Sequence, residues 1–165
     1  MRYVAVDLRS TPLVNVVANA AELPLASEQF DLVFCTQMLE YVPDPSRVVA
    51  EIYRVLKPRG MLLLSVPSLA IRDSDEDRWR FWPAGVRQLL ASFSQVEVVP
   101  EGGSIAGFFR TVNAGLDVLA KPRMARALLV HTIVPLLNLE GLGLERLARS
   151  RNDAFAVNYS ALARK

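Results

Sequence analysis

The sequence predicts an α/β fold in which helices flank an open, mostly parallel sheet, and three observations predict it. Phe30 to Cys35 and Gly60 to Val66 are nearly continuous apolar blocks rather than alternating ones. That pattern marks strands buried on both faces. Between them lies an amphipathic helix with clear end signals, so strand, helix and strand follow as a right-handed βαβ unit. The early run Tyr3-Val4-Ala5-Val6-Asp7-Leu8 is β-rich and ends on an acidic residue. In doubly wound sheets, ligands bind in the crevice outside the strand ends, and a carboxylate there can accept both hydroxyls of a ribose.

Each element has its own local reason. Val14 to Val17 is a second short β-rich run. Asp44-Pro45-Ser46 supplies a helix start; Val48, Val49, Ile52, Val55 and Leu56 recur at helical spacing, with Glu51, Arg54 and Lys57 on the other face. Pro58 and Gly60 end that helix. Pro83 to Phe93 reads as another amphipathic helix with proline in its first turn. Gln95 to Val99 alternates as a strand, and Gly102-Gly103 breaks it. Ile105 to Leu119 and Arg123 to Leu137 read as helices separated by Lys121-Pro122, and Pro135 should kink or stop the second. Gly141-Leu142-Gly143 has no preceding strand and reads as a loop. Phe155 to Leu162 reads as a closing strand.

The chain has 165 residues, 52% of them hydrophobic and 22% charged, with a mean hydropathy of +0.23. Those values exclude a disordered or collagen-like protein. A lone cysteine, Cys35, excludes a disulfide scaffold. Arg2, Asp7 and Arg9 interrupt any signal-like start. No stretch of about 18 uncharged apolar residues would span a bilayer. The expected location is therefore cytoplasmic. A net charge of +2 is too weak a bias to argue for nucleic acid. Residues 105–165, however, carry nine basic and four acidic residues, a local +5, around the apolar segment Ala127 to Leu139. Such a tail fits either peripheral membrane contact or a solvated basic face over a packed core.

The middle of the chain carries a series of motifs. They are Asn19-Ala20-Ala21-Glu22-Leu23-Pro24-Leu25, Phe30-Asp31-Leu32-Val33, Leu39-Glu40-Tyr41-Val42-Pro43-Asp44-Pro45, Arg54-Val55-Leu56-Lys57-Pro58-Arg59-Gly60 and Ser65-Val66-Pro67. In order and spacing this run resembles the class I S-adenosylmethionine-dependent methyltransferases, in particular the type-11 group that includes quinone methyltransferases. With Tyr3 to Asp7 and the Trp79-Arg80-Phe81-x-Pro83 element, the resemblance covers residues 3–103.

The resemblance implies a Rossmann-like class I methyltransferase sheet with extra C-terminal helices. It implies a single domain over 1–165, with a cofactor-side core at 1–103, a helical substrate cap at 104–150 and a closing strand at 154–163. It also implies S-adenosylmethionine as cofactor. Asp7, followed by Leu8, would hold the ribose hydroxyls. Asn19 stands where the family has Asp and would accept from the adenine amino group with its amide oxygen. Ala20 would donate its backbone N–H to the adenine ring, and Cys35, Thr36 and Gln37 would line the methyl-transfer point. Tyr41, Trp79, Arg80 and Phe81 would contact a small-molecule acceptor, hydrophobic or lipid-linked.

Two departures from the family stand out. Related quinone O-methyltransferases carry Glu-x-x-Glu-His where this chain has Gln37-Met38-Leu39-Glu40-Tyr41, so no metal is expected. Loss of that histidine also removes a ready general base. His131, the only histidine, lies in an apolar helical stretch as a packed or capping residue. The family's first strand and Gly-rich loop should precede Asp7, but six residues do; the expected fold is N-terminally truncated. An exposed central strand edge would call for a homodimer or partner to cover it. The alternative function is a non-catalytic binding or assembly module on the same fold.

Overall fold

The computed structural model describes residues 3–119, 127, 129–148 and 152–165. Strands β1 (Val6–Asp7) and β2 (Val16–Val17) form a parallel pair. Strand β3 (Phe30–Thr36), helix α1 (Pro45–Val55) and strand β4 (Leu56–Pro67) form the expected βαβ unit. Helix α2 (Pro83–Leu89) leads to β5 (Gln95–Pro100). Helix α3 (Ser104–Leu119), a π-helical turn at Leu129–Ile133 and helix α4 (Val134–Ala148) precede the last strand, β6 (Asn158–Arg164).

The four-stranded sheet has the order β3-β4-β6-β5, with β3 parallel to β4 and β6 antiparallel to both its neighbours. The β1–β2 pair is a separate sheet. The sheet therefore divides between β1 and β3, and β3 is an edge strand.

Alternation along β4 sets the core. Leu62, Leu64 and Val66 are buried with Val48, Val49 and Ile52 of α1, Val86 of α2, and Tyr159, Ala161 and Ala163 of β6. Burying a side chain of this size contributes about 1.5–3 kcal/mol, and a one-residue slip would expose the whole set, so the register is strongly specified. The other face is partly open: Phe34 and Leu162, which flank Leu63 in register, are 60% and 39% exposed. The apolar blocks suggested burial on both faces, whereas α1 and α2 account for the buried one.

Helix α1 starts as its punctuation predicts. The Asp44 side chain accepts the backbone N–H groups of Ser46 and Arg47 at 3.0 and 3.1 Å, and Pro45 takes the first turn. It ends earlier than expected, at Val55. Leu56 is already extended and pairs with Phe30, and Pro58 keeps Lys57 out of the helical region after it, so the strand begins where the helix stops. Helix α2 is shorter too, ending at Leu89.

The largest revision concerns α4. Gly141-Leu142-Gly143 is not a loop but lies inside this helix. A Cβ on Gly141 would come within 3.0 Å of the Phe109 ring, so the glycine permits close packing of α4 on α3. The chain changes from π- to α-helical beside Pro135, where a break was expected. The expected separator Lys121-Pro122 and the start of the second helix lie outside the described residues. His131 is exposed in the π-helical turn rather than packed. The closing strand runs Asn158–Arg164, a few residues later than its apolar run suggested.

Candidate functional site

The register of the small sheet sets the first group of residues. Asp7 pairs with Val17, and Ala18 N–H bonds the Asp7 carbonyl at 3.0 Å. Asp7 and Asn19 therefore follow one another at the carboxyl ends of adjacent parallel strands, both exposed. Each is oriented by its own turn: Asp7 Oδ1 accepts Arg9 N–H at 2.7 Å, and Asn19 Oδ1 accepts Ala21 N–H at 2.9 Å. The N–H of half-buried Ala20 makes no hydrogen bond among the described residues. Leu8 is 69% exposed.

The second group sits at the end of β3, and its members diverge. Cys35 is buried in the core, where burial and then the charge of Glu40 push its thiol up to about 12. Its side chain packs as a small hydrophobe instead of lining a crevice. Thr36 and Gln37 are exposed. Gln37 holds a left-handed backbone with φ of 47°; its N–H bonds the Ser65 carbonyl at 2.9 Å and its Nε2 donates to Ser65 Oγ at 3.0 Å.

The third group gathers where the segment after β4 folds back over the loop after β3. Tyr41 donates its phenol to Asp73 at 2.6 Å, and Trp79 Nε1 donates to the Val42 carbonyl at 2.8 Å. Arg80 Nη2 reaches Asp77 at 2.7 Å, and its Nε bonds the Ala70 carbonyl at 3.0 Å. The bond to Asp73 pushes the Tyr41 phenol up to about 12, which removes it as a general base near neutrality. Phe81 belongs to the core. Trp79, Arg80 and Phe81 line, with Tyr53 and Trp82, an open groove of about 860 Å³ between α1 and α2.

Beneath this strap lies Glu40, 3% exposed, whose Oε2 has no hydrogen-bond partner. Burial holds its carboxyl above the ordinary range, and the charges of Asp77 and Asp73 add to that. Among the described residues no three His, Cys, Asp or Glu side chains converge to hold a metal ion.

A further polar network escaped the sequence reading. Glu101, directly after β5, accepts from Ser65 Oγ at 2.8 Å, from Asn158 Nδ2 at 3.2 Å and from Ser160 Oγ. Its signal was present, since Glu101 is an acid directly after a strand, much as Asp7 is the acid that ends one. The donors come from distant strands, and no local motif joins them.

Comparison with known proteins bears on the fold. The methyltransferase domain family matches residues 1–64. The ubiquinone biosynthesis O-methyltransferases of Pseudomonas putida and Pseudomonas fluorescens are 48% and 46% identical over 52 residues. That match is 32% of this chain and 21% of the relatives' length, so the chain spans about a fifth of the curated relatives it matches. A SAM-dependent methyltransferase from Archaeoglobus fulgidus superposes with a TM-score of 0.58 at 15% identity, covering 98% of this chain and 75% of that one. The Haemonchus contortus phosphoethanolamine N-methyltransferase 2, solved with phosphomonomethylethanolamine and S-adenosylhomocysteine, superposes at 0.51 and 18% identity, covering 90% and 36%. This chain thus has the fold of the class I SAM-dependent methyltransferases, and its residues 1–64 match the model of the methyltransferase domain family.

Proposed function

We propose that the chain binds S-adenosylmethionine and takes part in methyl transfer to a small, hydrophobic or lipid-linked acceptor. The observation that supports this is the β1–β2 register, which brings Asp7, Asn19 and Ala20 to the same end of two adjacent strands. These three groups fit a nucleoside: Asp7 for the ribose hydroxyls, Asn19 for the adenine amino group, Ala20 for a ring nitrogen. The cofactor supplies an electrophilic methyl group when bound. Thr36 and Gln37 would border the reacting end, and the chain's contribution is chiefly to hold both partners in line and exclude water. Tyr41, Trp79 and Arg80 are proposed to border the acceptor.

Calorimetric titration of S-adenosylmethionine and S-adenosylhomocysteine into the chain tests this reading. Micromolar binding is expected, weakened at least about tenfold, or about 1.4 kcal/mol, in Asp7→Ala. Equal affinity in the variant would sink the ribose assignment.

The separation of β1–β2 from the four-stranded sheet favours a second element of the proposal: a strand from a partner or second copy covers the free edge of β3. A non-catalytic binding module built on that pairing is the competing reading, and nucleoside binding without methyl transfer would favour it. We also propose a peripheral membrane role for residues 105–149. No helix of the described residues is long and apolar enough to cross a membrane. Helix α4 nevertheless exposes Leu136, Leu139, Leu142, Leu144 and Leu147, and the surrounding sequence is basic. Sedimentation with vesicles containing anionic lipid should carry the chain down, and Leu136→Glu with Leu147→Glu should release it.

A further inference from the structure

Glu101 stands where the chain leaves the carboxyl end of β5 for α3. Its Oε1 accepts from Ser65 of β4 and Ser160 of β6, and its Oε2 from Asn158 of β6. Ser65 accepts in turn from Gln37 at the end of β3. A continuous polar chain therefore crosses the top of the sheet from the candidate methyl-transfer residues to this one carboxylate.

Every donor in the chain is neutral. Burial pushes the Glu101 carboxyl up, yet the hydrogen bonds from Ser160, Ser65 and Asn158 together outweigh it and hold the group below its ordinary range. The negative charge is thus kept, in a half-buried position, without an ion pair among the described residues. Arg110 of α3 acts on it at longer range.

The charge strengthens the bonds from serine and asparagine, so Glu101 braces the strand ends. Its place is also the carboxyl edge of the sheet, outside which open α/β sheets bind their ligands. A carboxylate offers about four lone-pair sites, and the network uses three, which leaves one on Oε2. Gln37, held in a left-handed conformation that a non-glycine residue adopts at a cost, keeps its amide on Ser65 and so keeps the network aimed.

We infer that Glu101 recognises the acceptor by taking a hydrogen bond from a hydroxyl or ammonium group on it, an inference that rests on the methyltransferase reading above. The acceptor is then a molecule with a donor group beside its apolar body. Gln37, Ser65, Asn158 and Ser160 act as positioning residues for the carboxylate.

Three probes test it by NMR, read on the side-chain amide signals of Gln37 and Asn158: catechol, benzylamine and 1,2-dimethoxybenzene, with S-adenosylhomocysteine titrated in parallel. Catechol or benzylamine should shift both amides saturably, and whichever binds identifies the donor as hydroxyl or ammonium. Dimethoxybenzene, which lacks a donor, should bind at least about tenfold more weakly. Glu101→Gln should lose about the same factor for the donor probe and leave S-adenosylhomocysteine affinity unchanged, with a lowered thermal midpoint because charge-assisted bonds from Ser65, Ser160 and Asn158 are lost. Equal binding of all three probes, no shift at Gln37 and Asn158, or unchanged donor binding in Glu101→Gln would overturn the assignment. Should that variant fail to fold, the probe comparison on the unmodified chain decides it. Donor-selective binding without S-adenosylhomocysteine binding would retire the cofactor reading and leave the Glu101 assignment standing.

Discussion

Arg54 grips Glu51 on α1 with two hydrogen bonds, Nε to Oε1 at 2.9 Å and Nη2 to Oε2 at 2.8 Å, and the pair together holds the loop that follows Asn19 and Ala20. Glu51 accepts Leu23 N–H at 2.8 Å, and Arg54 donates to the carbonyls of Leu25 and Leu23 at 2.8 and 3.0 Å. The arginine of the Arg-Val-Leu-Lys-Pro motif thus acts on the candidate nucleoside site through the backbone of residues 23–25.

Removing that grip should loosen the loop. Arg54→Ala leaves a carboxylate and two carbonyls without their donor and should lower stability. Urea unfolding should show that loss, and hydrogen exchange should rise first at Leu23.

The same pair sets an acid limit. Hydrogen bonds from Arg54 lower the Glu51 carboxyl from its ordinary 4.5 to about 2. A lowered folded-state value contributes stability that is complete above the unfolded value and lost as pH falls through the folded one. Stability should therefore decline between about pH 4.5 and pH 2, and Glu51→Gln should flatten that decline. An unchanged slope in the variant would assign the acid loss to other carboxylates.

Two glycines of the helical hairpin should behave oppositely. Gly107 of α3 lies against the backbone carbonyl of Phe155, which has no side-chain freedom to give way. Gly143 of α4 has nothing near it. Gly107→Ala should cost about 1–3 kcal/mol through overpacking. Gly143→Ala should stabilise by up to about 1 kcal/mol through helix propensity. Paired denaturation curves would decide, and a destabilised Gly143→Ala would show that α4 is not helical there.

Cys35 should resist alkylation. With its thiol moved from 9.0 to about 12, the thiolate population falls by about three orders of magnitude, and burial blocks reagent as well. Iodoacetamide labelling at pH 8 should follow the rate of global unfolding. Rapid labelling of folded protein would place the side chain in the crevice after all.

Local chemistry made much of this protein legible. Asp44 and Pro45 start a helix whatever surrounds them, because a cap and a fixed φ act within one turn. The apolar blocks of β3 and β4 were legible as strands, although only one face of the sheet they form is well covered. Asp7 stood out as the acid ending a short strand and Asn19 and Ala20 through the family resemblance; the parallel register brings the three to one end of the β1–β2 pair. Cys35 shows the limit: its position beside the strand end was readable, but the side on which its Sγ falls depends on how β3 packs against α1.

By itself the sequence determined the order of elements, the βαβ unit and the residues at the strand ends, since propensity, capping and period act over a few residues. Tertiary structure alone decided three things: the division of the sheet between β1 and β3, the helical course of Gly141–Gly143 against Phe109, and the meeting of Gln37, Ser65, Asn158 and Ser160 around Glu101. Each of these rests on contacts between residues far apart in the chain. Their energies come from packing and desolvation at positions that no local pattern encodes.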